Sequence, residues 1–179
     1  MAIIAKSSGG GNFIPCPSGQ HSAVCVDIVD MGILEVKFGK EAPKSQHKIR
    51  IVWQVEEVMA DNRPFIVQRR YTLSLHEKAT LRKDLESWRG KQFTAEELEG
   101  FDLEVLLGIP CLLNVIQEKK DGSTYANVAS IMRLPKVMTP IKQRDYIRVQ
   151  DRTPAQTAEA EQDHGAEPDW VASDADVAF

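Results

Sequence analysis

Phe65-Ile66-Val67-Gln68-Arg69-Arg70-Tyr71-Thr72-Leu73-Ser74-Leu75-His76-Glu77-Lys78-Ala79-Thr80-Leu81-Arg82-Lys83-Asp84-Leu85-Glu86-Ser87-Trp88-Arg89-Gly90 changes its period halfway along, and that change decides the fold. Phe65 to Leu75 reads as a strand with Arg69, Arg70 and Tyr71 at its centre. Beyond it Leu81, Leu85 and Trp88 recur at i, i+4 and i+7, the apolar stripe of a helix that stops at Gly90. Ser74-Leu75-His76-Glu77 fits a capping box and predicts that the helix starts there.

Upstream, Asp61-Asn62-Arg63-Pro64 is a turn, and before it Ile49, Ile51, Trp53 and Val55 alternate with Lys48, Arg50 and Gln54. The two runs predict a hairpin rich in Arg. Val24, Val26 and Ile28, alternating with Cys25, Asp27 and Val29, predict a first strand ending near Gly32. Downstream, Thr94-Ala95-Glu96-Glu97 is a second capping signal, and Phe101, Leu103, Leu106 and Leu107 continue a short helical stretch to Gly108-Ile109-Pro110. Cys111 to Gln117 and Thr124 to Met132 flank Glu118-Lys119-Lys120-Asp121-Gly122, whose Asp-Gly marks a hairpin tip. Strand, strand, strand, helix, strand, strand is the order of a mainly β chain folded as a five-stranded OB-fold barrel with a helical insertion between strands 3 and 4. An SH3-like barrel or a small α+β sheet gives a similar string, and the inserted helix favours the OB-fold. The chain divides into a flexible Gly- and Pro-containing arm (1–20), the OB-fold domain (21–136), an extended basic segment (137–150) and an acidic tail (151–179).

The overall charge of −4 conceals an uneven distribution. Residues 1–150 hold 21 Lys and Arg against 18 acids, a net of +3; residues 151–179 hold one Arg against eight acids, a net of −7. A basic body suits a polyanionic ligand, and a tail this acidic and apolar-poor is expected to stay disordered and to serve a protein partner. Asp174, Asp176, Val177 and Phe179 form the apolar, acid-flanked tip expected to dock there. Cys16, Cys25 and Cys111 are an odd number without a CxxC pair. With no leader and no apolar run of membrane length, a soluble protein of a reducing compartment, the cytoplasm, is expected. Cys16, His21 and Cys25, with His47 or Cys111, have zinc-ligand chemistry, but Cys25 and Cys111 lie in strand patterns where a thiol is a small buried hydrophobe; no metal or other cofactor is expected.

Phosphate-loop, nucleophile-elbow and HExxH motifs are all missing, and Glu56, Glu57 and Asp61, which a metal-dependent nuclease would need, cluster at a turn where charge is ordinary. The chain is therefore read as a non-enzyme with no catalytic residues. Single-stranded nucleic acid requires cations along its phosphates and aromatic faces for its bases. Lys48, Arg50, Arg69 and Arg70 supply the first, and Trp53, Phe65 and Tyr71 are candidates for the second, although Trp53 shares a face with Ile49, Ile51 and Val55 and reads rather as core, and Tyr71 shares the ambiguity. Lys119 and Lys120 at the last hairpin tip are placed to close over a strand; a Lys pair beside Asp-Gly is also an ordinary turn.

The run from Arg70 to Gly90, together with Gly108-Ile109-Pro110-Cys111-Leu112-Leu113-Asn114-Val115 and Thr124-Tyr125-Ala126-Asn127-Val128, resembles a family of small bacteriophage replication proteins with OB-folds that bind single-stranded DNA. The resemblance covers residues 12–136 and adds Tyr125 to the DNA-binding candidates. The tail is similar to the acidic, Phe-ended tips of bacterial single-stranded DNA-binding proteins, with the difference that its acids alternate and no Pro precedes Phe179. What these resemblances imply is a protein that coats exposed strands in phage DNA replication and recombination within the bacterial host cytoplasm. Its tail would recruit replication or recombination proteins, and its body is compatible with a homo-oligomer and makes no membrane contact. The alternative is a replication or recombination mediator acting mainly through protein contacts.

Overall fold

The computed structural model describes residues 14–37 and 39–157. Five strands form one antiparallel sheet in the order β3-β2-β1-β4-β5, from β1 (Gly19–Val36), β2 (Lys44–Val58), β3 (Pro64–Thr72), β4 (Pro110–Lys120) and β5 (Ser123–Arg133). Two helices, α1 (Thr80–Arg89) and α2 (Ala95–Glu99), and a 3-10 turn (Leu103–Leu106) lie between β3 and β4. Since every pairing is antiparallel, the edge strands β3 and β5 point the same way. No ladder joins them among the described residues, although the Arg69 Nη1 of β3 donates to the Ala129 carbonyl of β5 at 3.5 Å.

One face of this sheet holds the main core. Ile49, Ile51, Trp53 and Val55 of β2 point into it as their alternation requires, joined by Phe65, Val67 and Tyr71 of β3 and by Cys111, Leu113 and Val115 of β4. Helix α1 closes it with Leu81, Leu85 and Trp88; the Trp88 ring lies 6.0 Å from that of Trp53, and its Nε1 donates to the Pro110 carbonyl at 3.0 Å. Gly90 ends α1 in the left-handed conformation at φ 69°, where a Cβ would be strained.

Three local features differ from the expectation. The Ser74 box does not cap α1: Ser74 Oγ accepts from the His76 N–H at 3.2 Å, and the helix begins only at Thr80, with Ala79 at the N-cap position and no side-chain cap. That local turn satisfies the hydroxyl before the helix begins. The Thr94–Glu97 box does form, and Glu97 also pairs with Arg89. The first strand runs past Gly32 to Val36, and it carries two bulges, between Cys25 and Asp27 and between Asp30 and Gly32. Each extra residue shifts the in/out alternation by one. Ala23, Cys25 and Ile28 therefore face the core, whereas Val24 and Val26 turn to the opposite face.

Residues expected in the N-terminal arm partly join the body. Cys16 is buried, its carbonyl accepts from the Gln117 Nε2 at 2.9 Å, and the Pro17 carbonyl meets the His21 ring at 2.8 Å. Burial pushes the Cys16 and Cys25 thiols up to about 12 and that of Cys111 higher still, so all three are protonated packing groups. No described helix is long and apolar enough to cross a membrane.

Candidate nucleic-acid interface

The second sheet face, on the β1-β2-β3 side, bears the residues of interest. Pairing sets Val29, Arg50 and Arg70 in one row, Asp27, Val52 and Gln68 in the next, and Val24, Gln54 and Ile66 beyond. Arg50 and Arg70 are direct cross-strand neighbours, a placement in which like charges repel. Among the described residues the Arg50 Nε has no hydrogen-bond partner. Both side chains are partly exposed, and both are the sequence candidates that strand parity placed on the polar face.

The remaining rows of that face are covered. Val24, Val26 and Val52 form a second apolar cluster, and Ile141 and Tyr146 of the segment after β5 pack on it with Ile66. This segment lies across the sheet as a strap. Gln54 holds it in the middle, donating from Nε2 to the Arg144 carbonyl and accepting the Arg144 N–H at 2.8 Å.

Its latch is Asp27, which the first bulge turns to this face and whose side chain is 2% exposed. The Asp27 carboxylate accepts from Arg148 Nε at 3.0 Å, from the Val149 N–H at 2.7 Å, from the Tyr146 hydroxyl at 3.3 Å and from the Ile28 N–H at 2.9 Å. A buried carboxylate is tolerable only with such a set of donors. Arg148 also grips Glu104 with both Nη groups, at 2.9 and 2.7 Å, and this fork, ahead of the bond to Asp27, raises its pKa. Beyond it, the Arg152 guanidinium lies 5.3 Å from the centre of the Tyr146 ring. Burial, reinforced by Asp27, pushes the Tyr146 phenol up to about 12, so it stays a donor; the charges of Arg152 and Arg50 act the other way.

The other sequence candidates are placed differently. Lys48 is buried at 3% exposure with its Nζ donating to Thr72 Oγ1 at 2.7 Å, so its charge lies inside the protein and not along a ligand path. Arg69 faces the core side, where it pairs with Asp84 at 2.9 Å and lies over the Tyr71 ring; it ties β3 to α1. Asp84 also accepts the Tyr71 hydroxyl at 2.8 Å, and burial raises its pKa against the pull of Arg69. Trp53 and Tyr71 are both at 0% exposure, so in this conformation neither ring offers a face to a base. Lys119, Lys120 and Tyr125 sit on the β4-β5 hairpin, on the far side of β1 in the sheet order from Arg50 and Arg70. Lys119 is exposed, Lys120 and Tyr125 half-buried, and Asp121 and Gly122 make the tight turn with positive φ. Asp174, Asp176, Val177 and Phe179 lie outside the described residues.

Among the described residues no group of three or more His, Cys, Asp and Glu gathers as metal ligands. Sequence reasoning missed Asp27, Tyr146 and Arg152. The only signal for Asp27 is an acid inside the apolar run from Ala23 to Val29, a position that ordinary alternation reads as solvent. No family model and no curated protein matches this chain.

Proposed function

We propose that this chain is a non-enzymatic single-stranded DNA-binding protein of the OB type, with the partly exposed row of Arg50 and Arg70 as its phosphate-binding surface. The observation that carries the reading is the cross-strand Arg50/Arg70 pair, partly exposed beside the apolar strip that the strap covers. Two cations side by side on adjacent strands can each meet a phosphate of one polyanion laid across both. The OB-type reading is supported by the strand order, by edge strands that point the same way and by the helix placed between β3 and β4. Lys119, Lys120 and Tyr125 are proposed as a second contact, reached by a strand long enough to run from one hairpin to the other. The acidic tail beyond Thr157 is the proposed recruiter of replication or recombination partners, and the resemblance of residues 12–136 supports a phage origin.

Fluorescence anisotropy of a labelled 30-nucleotide oligothymidine, compared with a duplex of equal length at two salt concentrations, tests this. The reading expects preference for the single strand, steep weakening with salt, and equal or tighter binding by a chain ending at Thr157. Equal affinity for duplex, or no binding by either chain, would contradict it. The mediator reading draws on the β1-β2 hairpin, where Ile33 is 72% exposed and Leu34 38%. It becomes the better account if Ile33→Ser abolishes capture of a replication protein while DNA binding is absent.

A further inference from the structure

We infer that the strap is a wall of the DNA-binding surface and that Arg152, seated on it, is a phosphate-binding cation alongside Arg50 and Arg70. The inference rests on the reading above and adds residues to the same site. Tyr146 packs on the Val24/Val26/Val52 cluster and its hydroxyl reaches Asp27, the cross-strand partner of Val52, which follows Arg50 by two positions on one strand face, a spacing of about 6.6 Å. Arg152 lies over that Tyr146 ring, and the charges of Arg152 and Arg50 both act on its phenol, so the two cations are grouped about one side chain. Its hydrogen bond among the described residues runs from Nε to the Ile147 carbonyl at 3.0 Å, which leaves the terminal Nη groups to a ligand.

A strap that left the face on binding would work against the ligand. It would strip Arg148 and the Val149 N–H from Asp27 and uncover a carboxylate in the row next to Arg50, in the path of the phosphates. Seated, the strap neutralises that acid and adds Arg152. Binding of a polyanion and seating of the strap therefore favour each other, and Asp27 acts as a positioning residue for Arg152.

The test uses the full chain with labelled oligothymidine over a series of salt concentrations. Arg152→Gln is expected to weaken binding several-fold at low salt and to make the slope of log K against log salt shallower by about 0.7, the share of one phosphate contact on a single strand. Arg152→Lys keeps the wild-type slope. Hydrogen exchange of the Val149 amide is expected to stay slow, or become slower, when oligothymidine binds. An unchanged slope in Arg152→Gln overturns the inference, as does loss of Val149 protection on binding. If Arg50→Glu/Arg70→Glu abolishes binding while Arg152→Gln leaves it intact, the inference fails alone; if the wild-type chain does not bind, the functional reading fails with it.

Discussion

The two faces of the sheet are built on different physics. The inner face is closed by aliphatic and aromatic side chains, Trp53 against Trp88 with Leu81 and Leu85 beside them. The outer face of β1-β2-β3 is closed over only part of its area, by a strap held on a small Val cluster, on Gln54 and on one buried carboxylate that takes three of its four donors from the strap. Apolar burial is non-directional and tolerates small shifts, whereas a buried acid holds one arrangement and is lost as a unit when a donor goes. The inner face thus specifies that the chain folds, and the outer face specifies where its cations stand.

Substitutions should separate the two. Trp88→Ala removes the inner lid and is expected to lower stability by about 3 to 5 kcal/mol, the usual cost of deleting a buried ring, in urea unfolding. Asp27→Ala is expected to cost about 3 kcal/mol, at the low end for breaking a buried pair because Arg148 keeps Glu104. Its sharper signature is local: amides of residues 141–152 exchange faster while those of β2 stay protected. Equal exchange in both regions would show that the faces are one cooperative unit.

A smaller effect concerns pH. The Tyr146 pKa is raised from 10 to about 12 by burial first and by Asp27 second, so the neutral phenol is the seated form. Its contribution to stability is complete below pH 10 and is lost as the pH rises through about 12. Tyrosinate absorbance during an alkaline titration should show this late step, and Tyr146→Phe should lower its amplitude by one tyrosine. The smallest change is expected at the exposed Lys44–Glu41 pair, 3.1 Å apart, where Lys44→Ala should shift stability by less than about 0.5 kcal/mol in the same unfolding assay.

The inner face was largely legible in the sequence. Ile49, Ile51, Trp53 and Val55 keep a strict period of two, Leu81, Leu85 and Trp88 keep a helical one, and Thr94-Ala95-Glu96-Glu97 and Asp121-Gly122 form the local structures that their chemistry demands. The outer face was legible only in part. Arg50 and Arg70 follow from parity, but a bulge is one uncounted residue, and no period announces that Val26 and Asp27 both turn outward. Lys48 and Arg69 read as surface cations because strand alternation does not reveal which polar positions are later covered or paired by a distant element such as Thr72 or Asp84. The strap has no strand or helix pattern; Ile141 and Tyr146 within it suit an extended segment packed along the domain, but only Val24, Val26 and Val52 show where it lies.

Charge reversal at Arg50 and Arg70 tests whether the outer sheet face binds single-stranded DNA, as proposed, through these two side chains. Arg50→Glu/Arg70→Glu in the full chain, titrated against labelled oligothymidine beside the wild type, is predicted to lose most of its affinity and to show a markedly shallower salt dependence while circular dichroism shows the fold retained. Wild-type affinity and salt slope in the folded double variant would contradict the account.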